Sequence, residues 1–204
     1  FRLIKETSGQ VWSLIEIENT LFCGHNNGTF IVSNGSVNKI SNTNVVPMKE
    51  QLINFLNGLE YRFEIREDSE ERTVIQTGIS LTVGASDGYI VIYNKISLVE
   101  ILAYSPVNIP ENKRSEVAKF MDIVDSITYV GNLQLNHVSG GVRCKTYFRH
   151  ASEMVPLEII KDNFFEAFNI LERYMPGIMA IVYAGKDADT AINNLLGTVN
   201  PTNN

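Results

Sequence analysis

Residues 61–97 read YRFEIREDSEERTVIQTGISLTVGASDGYIVIYNKIS, and their periodicity decides the fold. Tyr61, Phe63 and Ile65 alternate with Arg62, Glu64 and Arg66, the two-residue period of a strand with one buried face. The acidic cluster Glu67, Asp68, Glu70 and Glu71 supplies a solvated turn before the next apolar run, RTVIQTGISLTV. Asp87-Gly88 is a hairpin signal because both residues tolerate positive φ, and it is read as the turn into YIVIYNKIS. Three strands joined by short polar turns make an antiparallel meander. LVEILAYSPVNIP, residues 98–110, is either a fourth strand or a strand extension that ends before Pro106 and Pro110.

Helical periods flank the meander. After Pro47, the apolar residues Met48, Leu52, Ile53, Phe55, Leu56 and Leu59 form one stripe, and Gly58 suits the helix end. A second helix spans about Glu111 to Tyr129, where Val117, Phe120, Met121, Val124 and Ile127 recur at three and four, and Gly131 closes it. NLQLNHVSG and GVRCKTYFRH then read as two strands joined by Gly140-Gly141. In the second, Val142, Cys144, Thr146 and Phe148 point one way and Arg143, Lys145, Tyr147 and Arg149 the other. A free cysteine packs as a small hydrophobe, so Cys144 belongs to the buried side. Arg143, Lys145 and Arg149 form a basic stripe, either a solvated sheet face or a grip on an acidic partner. A long helix follows, with Leu157, Ile160, Phe164, Phe168, Leu171, Met175 and Ile178 on its apolar face, and Pro176-Gly177 predicts a kink or restart. At that spacing Phe164, Phe165, Phe168 and Tyr174 read as core rather than as a ligand box. Asp187 is a fitting N-cap for a last short helix, ADTAINNLL.

The order helix, three strands, helix, two strands, helix predicts an α+β domain over residues 43–198, an antiparallel sheet with helices on one face. A short all-β hairpin segment precedes it over residues 1–42, and residues 199–204 read as a flexible tail. In the leading segment, Asn19-Thr20, Asn26-Asn27-Gly28 and Asn34-Gly35 separate four short strands.

Two family resemblances sit on these segments. GQVWSLIEIENTLFCGHNNGTFIVSNGSVNKIS, residues 9–41, resembles one blade of a β-propeller of the kind found in sensor regions of hybrid two-component systems from gut bacteria. A propeller closes its ring from several blades, and no second copy of the pattern occurs. That resemblance implies a fragment of a ligand-sensing receptor region and a periplasmic setting. The segments IPENKRSEVAKFMDIVDSITYVGNLQLNHVSGGVRCKTYFRH and LEIIKDNFFEAFNILERYMPGIMAIVYAGKDADTAI resemble the YbjN family of bacterial proteins, described as candidate sensory transduction regulators. The shared features include the break at Tyr174, Met175 and Pro176, the glycine at Gly185 and the pair Ala191-Ile192. Asp125 and Ser126 depart from it, since the family tends to carry asparagine there. The family's fold is similar to that of class I type III secretion chaperones, which commonly pair as dimers. The resemblance implies a non-enzymatic protein-binding module with a regulatory or chaperone-like role in bacterial signalling, working as a homodimer in the cytoplasm on a protein partner it does not name.

The chemistry the residues can support agrees with that expectation. Neither a Gly-rich phosphate loop nor a G-x-S-x-G elbow occurs. Cys23 and His25 fall on alternate positions of a strand and share a face, but a nucleophile needs a base held by a third group, and a metal would find only half a site. A structural strand with a polar end is the reading for both. His137 and His150 flank one hairpin and could meet across it, although two solvated histidines are the plainer expectation. The acidic cluster lacks the spacing of a calcium loop. No cofactor, metal or catalytic residue is expected. The formal net charge of −6 argues against nucleic acid as a partner, because such binders present a basic face to phosphates. The apolar run IMAIVYA is too short for a bilayer, which takes about 20 residues. The chain opens on Phe1 rather than Met, so its start is silent about a leader.

Overall fold

The computed structural model describes residues 11–17, 20–25, 28–33, 36–40, 46–150 and 154–199. The chain divides into two compact units, residues 1–45 and 46–204. In the first, β1 (Val11–Ile17), β2 (Thr20–His25), β3 (Gly28–Ser33) and β4 (Ser36–Ile40) pair in sequence order as an antiparallel meander. Cys23 stands opposite Leu14 and Phe30 in backbone register, and His25 opposite Val11 and Gly28. Their side chains, the turns at 26–27 and 34–35, and the tail from residue 200 lie outside the described residues.

The second unit opens with α1 (Met48–Gly58) and builds a six-stranded antiparallel sheet. Its strands are β5 (Glu64–Asp68), β6 (Arg72–Leu81), β7 (Gly84–Tyr93), β8 (Leu98–Asn108), β9 (Asn132–Leu135) and β10 (Gly141–Arg149). The spatial order is β5-β6-β7-β8-β10-β9, so the β9–β10 hairpin docks through its second strand. Helices α2 (Arg114–Ile127), α3 (Leu157–Ala184) and α4 (Ala188–Val199) complete an α+β unit. The core lies between helices and one sheet face, where Ile75, Ile90, Ile101 and Cys144 meet Phe120, Phe164 and Leu171. Thr146, fully buried on β10, donates its hydroxyl to the Asn163 carbonyl of α3 at 2.7 Å and so fixes sheet to helix without an orphaned polar group.

The ambiguous stretch at 98–110 is a full fourth strand between α1 and α2. Pro106 sits within it because the β8–β10 pairing is irregular there: Gly141 faces Asn108 while Arg143 faces Tyr104. A bulge spares the ladder the amide that proline lacks.

Asp87-Gly88 is not a turn. β7 runs through it, pairing Gly88 with Thr77 on one side and Ala103 on the other. The turn falls at Thr82-Val83, where Glu172 of α3 accepts hydrogen bonds from the Thr82 amide at 3.0 Å and from its hydroxyl. The glycine serves packing: a Cβ on Gly88 would stand 2.6 Å from Cζ of Phe168. Of the kink or restart expected at Pro176-Gly177, the restart does not occur, and α3 runs through Pro176 as one helix of 28 residues. Gly177 lets the Phe120 ring of α2 reach the α3 backbone. α1 does end at Gly58, as expected, and the left-handed residue beyond it is Glu60, at φ +58°. Asp187 does cap α4, accepting the Thr190 amide at 2.7 Å, which holds its carboxyl below the ordinary range.

Asp125, near the end of α2, accepts the Leu133 amide at 2.9 Å and ties α2 to β9. Burial pushes its carboxyl above the usual range. A carboxyl whose folded pKa is raised costs stability when ionised, above the folded pKa, and costs nothing below its unfolded value. Asp125→Asn keeps the acceptor and removes the charge. Thermal melts are expected to show the variant more stable than wild type at neutral pH, with the gain fading as the pH falls through the raised pKa.

Candidate functional site

Strand alternation leaves the second sheet face without a helix of its own unit. It carries Val74 on β6, Tyr89, Val91 and Tyr93 on β7, Glu100, Leu102 and Tyr104 on β8, and Arg143, Lys145 and Tyr147 on β10. Val91 and Leu102 are only 7% exposed there, although they stand apart from the helix-covered core.

The expected basic stripe is on this face, and each of its cations is already engaged. Arg143 donates through Nε to Gln134 at 2.8 Å and through Nη1 to the Tyr104 hydroxyl at 3.0 Å, with its guanidinium 5.8 Å from the Tyr104 ring centre. Lys145 pairs with Glu100 at 3.5 Å and lies 5.9 Å from the Tyr147 ring centre. Arg149, at the strand end, donates to the Ile96 carbonyl at 3.1 Å. Tyr93 donates to the second oxygen of Glu100 at 3.3 Å, and burial together with that carboxylate pushes its phenol up. Tyr89 and Tyr104 pack edge to face at 5.5 Å. The result is a pre-oriented layer of tyrosine and arginine, the residue types that dominate protein interfaces. The tyrosines were within reach of sequence reasoning: they occupy the outward phase of the same alternation, and accepting 98–108 as a strand places Tyr104 beside Arg143.

Two depressions lie among the helices. One, of about 660 Å³, runs between α1 and the entry to α3 and is lined by Phe55, Gly58, Leu59, Met154, Leu157 and Ile160, with Gln51, Asn54 and Lys161 as its polar members. Gln51 fixes one wall, donating to the Val46 carbonyl at 2.7 Å and accepting the Val155 amide at 3.0 Å. The other, of about 730 Å³, lies between the end of α2 and α3, where Tyr129 is fully exposed beside Ile127, Val130 and Ile159. Lys161, Asp162, Glu166 and Arg173 line it, and none of them enters an ion pair among the described residues.

The other candidate groups are not brought together. His137 lies in the β9–β10 turn and His150 just beyond the far end of β10, about 30 Å away at strand rise. Arg72 holds Glu67, Lys49 and Thr73 hold Asp68, and Lys95 meets Glu71, so three of the four acidic residues of the cluster are paired with cations. Burial pushes the Cys144 thiol up to about 12, opposite to what a nucleophile requires. Among the described residues no cluster of three or more His, Cys, Asp or Glu is placed to hold a metal.

No family model matches the sequence, and no curated protein matches it. Among solved structures, the chain is similar to the crystal structure of YbjN from E. coli, described as a candidate transcription regulator. The two share 11% identity and a TM-score of 0.46, over 63% of this chain and 89% of that one. No residue role carries across at this distance. No described helix is long and apolar enough to cross a membrane.

Proposed function

We propose that the chain is a non-enzymatic protein-binding module with a regulatory or chaperone-like role in bacterial signalling, and that the helix-free sheet face of the second unit is its contact surface. The observation that carries this reading is the layer of Tyr89, Tyr104, Arg143, Lys145 and Tyr147, whose side chains are held in place by one another before any partner arrives. Contacts to a pre-oriented face lose less side-chain entropy on association. Arg143 and Arg149 keep guanidinium donors beyond those used inside the sheet, which suits an acidic partner surface.

The chain works as a homodimer in the cytoplasm in this proposal. The patch of Ile127, Tyr129, Val130 and Ile159 supports self-association, because it sits beside charges of both signs and a two-fold interface must complement itself. Pull-down of the full chain from a native bacterial lysate, followed by sizing chromatography, tests both parts. Retention of an acidic protein partner that Arg143→Glu with Arg149→Glu releases, and a dimer that Tyr129→Asp dissociates, are the expected results. A strict monomer that retains no partner overturns the reading.

A further inference from the structure

We propose that the groove between α1 and the start of α3 binds an amphiphile with one hydrocarbon tail and an anionic head, the tail along Phe55, Gly58, Leu59 and Ile160 and the head at Lys161. This site is separate from the sheet face and does not depend on it.

Gly58 is the first reason. Gly58 is the last residue of α1, where a glycine still gives up backbone entropy that alanine would not. Neither usual requirement applies here. The left-handed position that ends α1 is taken by Glu60, and a Cβ on Gly58 would meet nothing within 4 Å. Gly88 and Gly177, in contrast, each admit a phenyl ring that a Cβ would strike. Gly58 is also part of the groove wall, so the missing side chain leaves its volume to the groove. Glycine where nothing in the fold needs it, on the wall of an apolar groove, keeps that space clear for an occupant.

The groove's chemistry defines the occupant. Met154, Leu157 and Leu59 stand 66%, 57% and 37% exposed along it, apolar surface left in water. Among the described residues Lys161, at its edge, enters no ion pair, and neither Glu158, three residues earlier, nor Asp162 bridges to it. Asn54, also exposed on the wall, makes no side-chain hydrogen bond among the described residues. An unpaired ammonium and a free amide beside an otherwise apolar wall match an anionic head on an apolar tail. The size points the same way. A volume of about 660 Å³ is that of a small-molecule site, whereas a stable protein partner needs roughly 800 Å² from each side. The Gln51 hydrogen bonds to the Val46 carbonyl and the Val155 amide hold the wall open in advance.

The test uses the full chain, a fluorescent fatty-acid analogue and dodecanoate as competitor. The expected result is saturable one-to-one binding that dodecanoate displaces. Gly58→Leu is expected to abolish displacement while leaving the melting temperature unchanged or raised, since the side chain enters open space and improves the helix. Leu157→Glu, at an exposed position, gives a second block at little cost in folding. Lys161→Gln is expected to weaken dodecanoate about tenfold, the loss of one charge-assisted contact, and to leave neutral dodecanol unaffected. A full chain that binds no analogue, including one whose own residues fill the groove, overturns the proposal. So does undiminished binding by both Gly58→Leu and Leu157→Glu, or equal loss of dodecanoate and dodecanol in Lys161→Gln.

Discussion

Phe164→Ala lowers the stability of the second unit by about 3–5 kcal/mol, the range for deleting a fully buried phenyl ring. Phe164 is completely buried on the inner side of α3. Its ring meets Phe55 edge-on at 5.2 Å, Phe168 at 5.3 Å, Phe165 at 5.4 Å and Tyr61 at 5.8 Å. Aromatic pairs of this geometry add about 0.5–1.5 kcal/mol each beyond area burial, and one substitution removes four of them. The partners come from three places in the chain: α1, the segment before β5, and α3 itself. They cannot close together over the void, so the cavity cost is retained. For a unit of this length the melting temperature falls by roughly 10 °C or more. Chemical denaturation followed by circular dichroism measures the loss, and a change below about 1 kcal/mol contradicts the placement of Phe164 at the centre of the core.

Gly177→Ala destabilises as well, against the direction of helix propensity. Alanine in place of a helical glycine should gain about 1 kcal/mol. At this position its methyl would lie 2.5 Å and 2.7 Å from two carbons of the Phe120 ring and 2.8 Å from Cδ1 of Leu195. Those atoms belong to α2 and α4, both packed against α3, so relief requires moving a helix or forcing the Phe120 ring off its rotamer. Overpacking of that kind costs about 1–3 kcal/mol, which outweighs the propensity gain. Gly177→Leu should leave little folded protein. The collision also predicts coupling: Gly177→Ala combined with Phe120→Leu should cost less than the two separate losses added, by about 1 kcal/mol or more. Strict additivity would place the Phe120 ring elsewhere.

These two positions show how far the fold was readable from the chain. The apolar stripes of α1, α2 and α3 and the two-residue alternation of β6 and β10 are local signals, and the elements form where those signals lie. Asp87-Gly88 misled because a glycine can answer a neighbour instead of a dihedral angle, as Gly177 also does. Gly88 makes room for Phe168, 80 positions later, and that need is invisible until the helix is laid on the sheet. The true turn at Thr82-Val83 carries no turn residue at its centre and is secured by Glu172, which is equally remote. The surface divides in the same way. The outward phase of Arg143, Lys145 and Arg149 is a property of one strand and was legible. That each is held by Tyr104, Gln134, Glu100 or the Ile96 carbonyl depends on which strands become neighbours. The groove joins α1 to a helix a hundred residues away, so no local pattern marks it.

The strand order has one further consequence. The two outermost strands of the six-stranded sheet are its shortest, β5 with five residues and β9 with four. β5 is also interrupted between Ile65 and Glu67 and carries Glu64, Arg66, Glu67 and Asp68 along its length. A brief border on the β9 side and a brief, bent and charged one on the β5 side are poor templates for an incoming strand, so this sheet is guarded against the open-ended stacking that leads to fibrils.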